Sequence, residues 1–140
     1  MFERILVPFD GSDNSKKALQ VAIDLASKYD SRLYIIEVVN ETIFYSVGIL
    51  PPLKELESME RKAKEDVKFA VTEAERVGVR AVGETLEGDP AQAILDYVDK
   101  NSISLIVMGS RGLSTVKRVF LGSVSSRVVQ EARVPVLIVK

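Results

Sequence analysis

The chain has 140 residues, a formal net charge of −1 and 46% apolar residues. This length and apolar content suit one domain with a substantial core, so we expect a single domain over residues 1–140. The small net charge gives no indication of a nucleic-acid or membrane partner, and no apolar run reaches the length of a membrane span. The chain starts directly in a strand-like segment without an export signal, so we expect a cytoplasmic protein.

The sequence contains no Cys and no His. This excludes disulfides, thiol nucleophiles, histidine bases and the usual zinc sites. Any catalysis would therefore use carboxylates, Lys, Tyr, hydroxyl groups or a bound metal. The pattern identifies neither a catalytic residue nor a set of metal-ligating side chains.

Strand-like and helix-like segments alternate along the chain. Predicted strands cover residues 4–9, 32–39, 79–86, 103–108 and 134–139, and predicted helices cover residues 14–29, 51–77, 90–100 and 124–132. Ser12 or Asp13 caps the first helix, Gly78 ends the second, and Asp89 caps the third. The charged face of the second helix is interpreted as a solvated surface. This alternation predicts a doubly wound, Rossmann-like α/β domain, a five-stranded parallel sheet with helices on both faces.

A glycine-rich loop follows the fourth predicted strand. Its spacing is G-x2-G-x9-G-S, formed by Gly109, Gly112, Gly122 and Ser123, and it ends at a predicted helix. Glycine can adopt positive φ and approach a ligand closely, and a helix N-terminus offers unpaired amides to a phosphate. If φ of Gly122 is positive, a valine there would cost about 1–2 kcal/mol of strain. The Walker and dinucleotide-binding patterns are both absent.

This spacing, together with the segment from Ile5 to Ser12, resembles the universal stress protein family over nearly the whole chain. The resemblance implies the sheet order 3-2-1-4-5, ATP as the ligand and a regulatory role in stress. It also implies that Mg²⁺ or Mn²⁺ comes with the nucleotide and is held mainly by phosphate oxygens. The order also follows from the residues, because the loops after strands one and four share one ligand only if those strands are neighbours.

Carried over position by position, the resemblance assigns nine nucleotide-binding residues. Pro8, Asp10 and Val38 line the adenine and ribose side, and Met108 and Gly109 pass beneath the ribose and α-phosphate. The phosphates receive backbone amides from Gly112, Gly122, Ser123 and Val124, and the Ser123 hydroxyl.

Each assignment has a purely structural alternative. Asp10 can satisfy backbone amides in the turn before the first helix, Ser123 can cap its own helix, and the glycines can belong to ordinary turns. Arg111, Lys117 and Arg118 are candidates for phosphate contact or for solvated loop positions. Phe44 and Tyr45, in the predicted loop over residues 40–50, suit either a lid over the base or packing against the long helix.

Three functions compete. The favoured one is an ATP-binding regulatory protein whose nucleotide state is read by an unknown downstream partner or by its own dimer. The second is a slow ATPase or an enzyme of phosphoryl or adenylyl transfer, since residues 10–15 distantly resemble the loop of ATP pyrophosphatases. The third is a nucleotide-free scaffold, which the intact motif disfavours.

The last predicted strand, from Val134 to Val139, is apolar at every position. The order 3-2-1-4-5 places it at the sheet edge, where Pro135 is tolerated and unpaired backbone groups invite association. We therefore expect a two-fold homodimer through this strand, and the family resemblance implies the same antiparallel pairing.

Overall fold

The computed structural model describes residues 1–42, 48, 52–112 and 121–140. In this part of the chain the strands are β1 (Arg4–Pro8), β2 (Arg32–Val39), β3 (Ala81–Glu87), β4 (Leu105–Gly109) and β5 (Val136–Val139). The helices are α1 (Asp13–Tyr29), α2 (Leu53–Arg76), α3 (Pro90–Lys100) and α4 (Ser123–Glu131). None of these helices combines the length and the apolarity that crossing a membrane requires.

The five strands form one parallel sheet in the order β3-β2-β1-β4-β5. This confirms the predicted fold class and strand order. The chain leaves β1 toward β2 on one side and reaches β4 on the other, so the order reverses between β1 and β4. Ligands of doubly wound sheets bind beyond the carboxyl ends of the strands at such a point.

The core lies in two layers, one on each face of the sheet. Side chains alternate along β1, so Ile5 and Val7 pack toward α1 and α2 while Leu6 packs toward α3 and α4. All three are fully buried, as are Ile35 of β2 and Ile106 of β4. Burial of each such side chain contributes about 1.5–3 kcal/mol, so the central strands are the rigid part of the fold.

Helix ends follow the capping residues that the sequence predicts. Ser12 caps α1, with its hydroxyl accepting from the Ser15 amide at 3.2 Å. Asp89 caps α3 and accepts from the Gln92 amide at 3.0 Å. Gly78 follows α2 with φ of 83°, a left-handed conformation that suits glycine.

Three strands, β3, β4 and β5, begin two residues later than predicted, and the physical reason is the same for β3 and β4. Val79 is buried, but its amide donates to the Ala74 carbonyl at 3.0 Å, so it closes α2 and does not start β3. Ile103 is also buried and donates to Val98 at 3.1 Å, so it closes α3. Because both residues are apolar and buried, the apolar pattern begins two residues before each strand does.

Candidate functional site

The loops that follow β1 and β4 meet at the carboxyl edge of the sheet. Pro8 ends β1 and is half-buried, and Gly109 ends β4. A Cβ atom added to Gly112 would lie 2.8 Å from Oδ2 of Asp10, so the two loops are in direct contact. The structure thus brings together the two segments in which the sequence places its candidate ligand-binding residues.

Asp10 has a structural role in the first loop. Its Oδ1 accepts a hydrogen bond from the Ser12 amide at 2.9 Å, and its own amide donates to Ser15 Oγ at 3.4 Å. One carboxylate oxygen of Asp10 therefore has the purely structural role, which is to satisfy a backbone amide in the turn before α1. The other oxygen lies beside Gly112 in the crevice. A carboxylate at this place can accept a hydrogen bond from a sugar hydroxyl.

Gly109 is required by close packing and not by an unusual φ. An added Cβ would lie 2.9 Å from both the carbonyl carbon and the Cβ of Asn14, in the first turn of α1. The Asn14 amide group also donates to Ser110 Oγ at 3.4 Å. The start of α1 therefore rests directly on the end of β4, which fixes the distance between the two loops.

Val38 and Met108 both belong to the core layer under α3 and α4. Met108 is buried and Val38 is half-buried. Because the Met108 side chain is enclosed by this layer, any ligand contact at this position has to come from its main chain.

The start of α4 is tied to the end of β4 through the carbonyl oxygen of Ser110. The Gly122 amide donates to this oxygen at 2.7 Å, and Ser125 Oγ donates to it at 2.7 Å. Ser110 and Ser125 are both buried. The Gly122 amide therefore donates its hydrogen bond within the protein, although the family resemblance assigns this amide to a phosphate.

No side chain in the described part of the chain caps the N-terminus of α4. Gly122 is the capping residue, and Ser123 is the first helical residue and is exposed. The alternative in which Ser123 caps the helix is therefore wrong. The first intrahelical bond runs from the Ser126 amide to the Gly122 carbonyl at 2.9 Å, so the amides of Ser123, Val124 and Ser125 precede it.

Gly122 has φ of −72° and ψ of 170°. This is extended backbone that any residue adopts, so the strain expected for a positive φ does not arise. Gly122 is itself buried at the start of α4.

A cluster of charged side chains that the sequence does not predict lies beside the first loop, with Lys62 exposed, Asp66 half-buried and Glu37 buried. Lys62 of α2 has its Nζ 2.6 Å from Asp66 Oδ2, 3.1 Å from the Asp10 carbonyl and 3.6 Å from Glu37 Oε2. Glu37 is buried within β2. Burial raises the pKa of Glu37 to about 8, the nearby carboxyl groups of Asp66 and Asp10 add to the rise, and Lys62 opposes it. The face of α2 is therefore not purely a solvated surface.

The sequence held one signal for this cluster, an acid inside the apolar run of β2. Lys62 and Asp66 gave none, because a charged pair four residues apart on a long helix is usually exposed. Lys117, Arg118, Phe44 and Tyr45 lie outside the described residues.

A concave region elsewhere on the surface does not suit a polyphosphate. It has a volume of about 630 Å³ between β3 and α3. Four carboxyl groups and one lysine line it, from Glu84, Glu87, Asp89, Asp96 and Lys100. This excess of negative charge repels anions, so the crevice between β1 and β4 is the better candidate for an anionic ligand.

Comparison with known proteins identifies relatives along the whole chain. The model of the universal stress protein family matches residues 1–140. A universal stress protein of Methanocaldococcus jannaschii is 37% identical over 143 residues, which cover 100% of this chain and 83% of that protein.

Solved structures agree with this result. Universal stress protein UspA from Lactobacillus plantarum superimposes with a TM-score of 0.87 at 25% identity, covering 99% of this chain and 98% of that one. A universal stress protein in complex with cAMP superimposes with a TM-score of 0.74 at 25% identity, covering 99% of this chain and 97% of that one.

Proposed function

Since the chain belongs to the universal stress protein family, we propose that it binds ATP and acts as a nucleotide-dependent regulator in the stress response. Its nucleotide state would be read by a downstream partner or by its own dimer. ATP is the ligand implied by the G-x2-G-x9-G-S spacing, which the chain carries from Gly109 to Ser123. The proposed setting is the cytoplasm.

One observation carries the proposal, the uncapped N-terminus of α4 beside the Asp10 loop. A serine and an aspartate cap α1 and α3, whereas no side chain among the described residues caps α2 or α4. Of these two helices, α4 is the one whose start is bonded to the end of β4, through the Ser110 carbonyl. The amides of Ser123 and Val124 and the positive end of the helix dipole are therefore available to an anion. An adenine nucleotide suits this arrangement, because it joins a polyphosphate to a sugar that the Asp10 carboxylate can bind.

The nine residues take the following roles in this proposal. Pro8, Asp10 and Val38 lie on the base and ribose side, and the main chain of Met108 and Gly109 lies beneath the ribose. Gly112, Ser123 and Val124 donate to the phosphates, and Gly122 anchors the start of α4 through its bond to Ser110. Mg²⁺ or Mn²⁺ would be held mainly by the phosphate oxygens.

The relative solved with cAMP supports the choice of an adenine nucleotide. Its fold is shared along nearly the full length of both chains. This relative does not determine how many phosphates the ligand carries, so that number has to be argued from the motif of this chain. The G-x2-G-x9-G-S spacing from Gly109 to Ser123 implies ATP, and on that ground we propose ATP over a monophosphate.

A pair of variants at Ser123 tests the proposal without disturbing the helix. Ser123→Pro removes the backbone N–H, and proline is favoured at the first position of a helix. The preceding residue, Gly122, already has the extended conformation that proline requires before it. Ser123→Ala is the matched control, because it removes the hydroxyl and keeps the amide.

Isothermal titration of both variants with Mg-ATP gives the answer. A hydrogen bond to a charged group contributes about 1.5–3 kcal/mol, so Ser123→Pro should weaken ATP binding about tenfold or more. Ser123→Ala should weaken it less, and both variants should unfold at the wild-type temperature. A folded Ser123→Pro protein with wild-type affinity would show that the phosphates do not bind at α4.

We also propose a homodimer through the final strand. The structure places β5 at the edge of the sheet, next to β4 alone among the described strands. Leu137 is 38% exposed there. Pairing of two β5 edges about a two-fold axis would provide hydrogen-bond partners for the edge backbone groups and cover the Leu137 side chain of each copy.

A further inference from the structure

The cluster of Glu37, Lys62 and Asp66 joins the long helix α2 to the loop that carries Asp10. Lys62 Nζ donates to the Asp10 carbonyl at 3.1 Å and to Asp66 Oδ2 at 2.6 Å. Asp66 in turn lies against Gly11, where an added Cβ would be 3.1 Å from its Oδ1. Two side chains of α2 therefore hold both the carbonyl of Asp10 and the turn that follows it.

Glu37 lies beneath this contact and is not fully satisfied. Its Oε2 is 3.6 Å from Lys62 Nζ, and its Oε1 is buried with no hydrogen-bond partner among the residues that the structure describes. The charged groups that face it are Lys62 and Asp66 from α2 and Asp10 from the loop after β1. Its register neighbour on β3, Thr85, is uncharged.

We propose that Lys62 is a positioning residue for the nucleotide site, and that ionisation of Glu37 weakens the hold of Lys62 on the Asp10 loop and so weakens nucleotide binding. This inference rests on the proposed function. With Glu37 neutral, Lys62 is shared between Asp66 and the Asp10 carbonyl. With Glu37 ionised, a second full negative charge 3.6 Å away attracts the ammonium, away from the Asp10 carbonyl.

The negative charge that Glu37 gains on ionisation also weakens nucleotide binding, in addition to the displacement of Lys62. Ionisation of Glu37 adds one negative charge to a cluster that already holds two carboxylates and one ammonium, directly beside the site of a polyanion. The pKa of Glu37 is raised to about 8, chiefly by burial, so the change falls between about pH 7 and pH 9. Burial lowers the pKa of Lys62, but its bond to Asp66 and the carboxyl of Glu37 raise it overall, so the ammonium stays charged in this range.

The test is ATP affinity measured from pH 7 to pH 9.5 by isothermal titration. A phosphate monoester has its second pKa near 6, so the phosphate charge of ATP is nearly constant over this range. Wild-type affinity should fall about three- to tenfold as the pH rises. Glu37→Gln keeps the neutral form at every pH, so its affinity should stay within about twofold of the wild-type value at pH 7.

Variants of Lys62 test the positioning role itself. Lys62→Met should lower affinity at pH 7 about fivefold or more and move the pH dependence to higher pH, because Lys62 opposes the rise in the pKa of Glu37. Lys62→Arg should restore most of the affinity. Lys28→Met is the matched control, because Lys28 forms a similar pair with Asp24 at 2.9 Å on the exposed face of α1. It should behave as wild type at every pH.

A second readout needs no nucleotide. In an NMR pH titration of the free protein, the amide of Gly11 should move with a midpoint near 8 in the wild type and lose that transition in Glu37→Gln. A wild type that shows this transition but binds no ATP would contradict the proposed function, and with it the role of Lys62 in binding. Glu37→Gln with the wild-type slope, or folded Lys62→Met with wild-type affinity, would overturn the inference while leaving ATP binding intact.

Discussion

Replacement of Gly109 by alanine tests the packing that brings the two loops together. The new Cβ would lie 2.9 Å from the carbonyl carbon and the Cβ of Asn14 and 3.0 Å from its carbonyl oxygen. Ordinary contacts begin near 3.4 Å. The opposing atoms are mostly main chain, in the first turn of a helix that Ser12 caps, so they cannot move aside as a flexible side chain would.

The size of the effect follows from two opposing contributions. Overpacking of this kind costs about 1–3 kcal/mol. Loss of a glycine from the unfolded chain returns about 0.4–1 kcal/mol where the backbone conformation is compatible. We expect a net loss of about 1–2 kcal/mol, which lowers the melting temperature by roughly 3–7 °C for a domain of this size.

Thermal unfolding followed by circular dichroism measures this change. Gly112→Ala is the matched control, since among the described residues its Cβ meets the end of the Asp10 side chain alone, at 2.8 Å. It should unfold within about 2 °C of the wild type, since a side-chain end moves at little cost, and bind nucleotide more weakly because it displaces the carboxylate. A Gly109→Ala protein as stable as the wild type would refute the claim that α1 is packed rigidly on β4.

Three further predictions address stability, assembly and turnover. Burial and the Asp66 carboxyl raise the pKa of Glu37 from 4.5 to about 8, so the folded protein keeps a proton that the unfolded chain releases. Wild-type stability should therefore fall from pH 4.5 to pH 8 relative to Glu37→Gln, measured by urea unfolding; parallel curves would contradict this. The proposed dimer should form in the wild type and shift toward monomer in Leu137→Asp in sedimentation equilibrium at micromolar concentration, with secondary structure retained; a monomeric wild type, or a dimer indifferent to this charge, would exclude β5 as the interface. ATP turnover should stay below about 1 per second in a phosphate-release assay, and faster turnover would identify an enzyme.

The sheet could be predicted because local sequence patterns indicate which segments are buried strands and which two strands carry the ligand-binding loops. The bounds of β2 are the ones predicted, since Arg32 and Asn40 interrupt the apolar run at both ends. The predicted starts of β3 and β4 are two residues early, because Val79 and Ile103 are apolar and buried as strand residues often are. Only their hydrogen bonds assign them to the ends of helices.

The candidate site, too, could be predicted only in part. Contact between the Asp10 loop and Gly112 followed from strand order, which the sequence predicts. The hold of Lys62 on the Asp10 carbonyl did not, because it joins residues 52 positions apart through a tertiary contact. The hydrogen bond of the Gly122 amide could not be predicted either, since its acceptor is the carbonyl of Ser110 at the far end of the same loop.

Amide chemical-shift mapping during titration with Mg-ATP tests the central claim most directly. We expect the largest changes where the β1 loop, the end of β4 and the start of α4 meet, at the amides of Asp10, Val38, Gly109, Ser123 and Val124. The residues between β3 and α3 should stay unchanged. Saturation without changes at Ser123 and Val124, or changes confined to the acidic region around Asp96, would contradict a nucleotide site between β1 and β4.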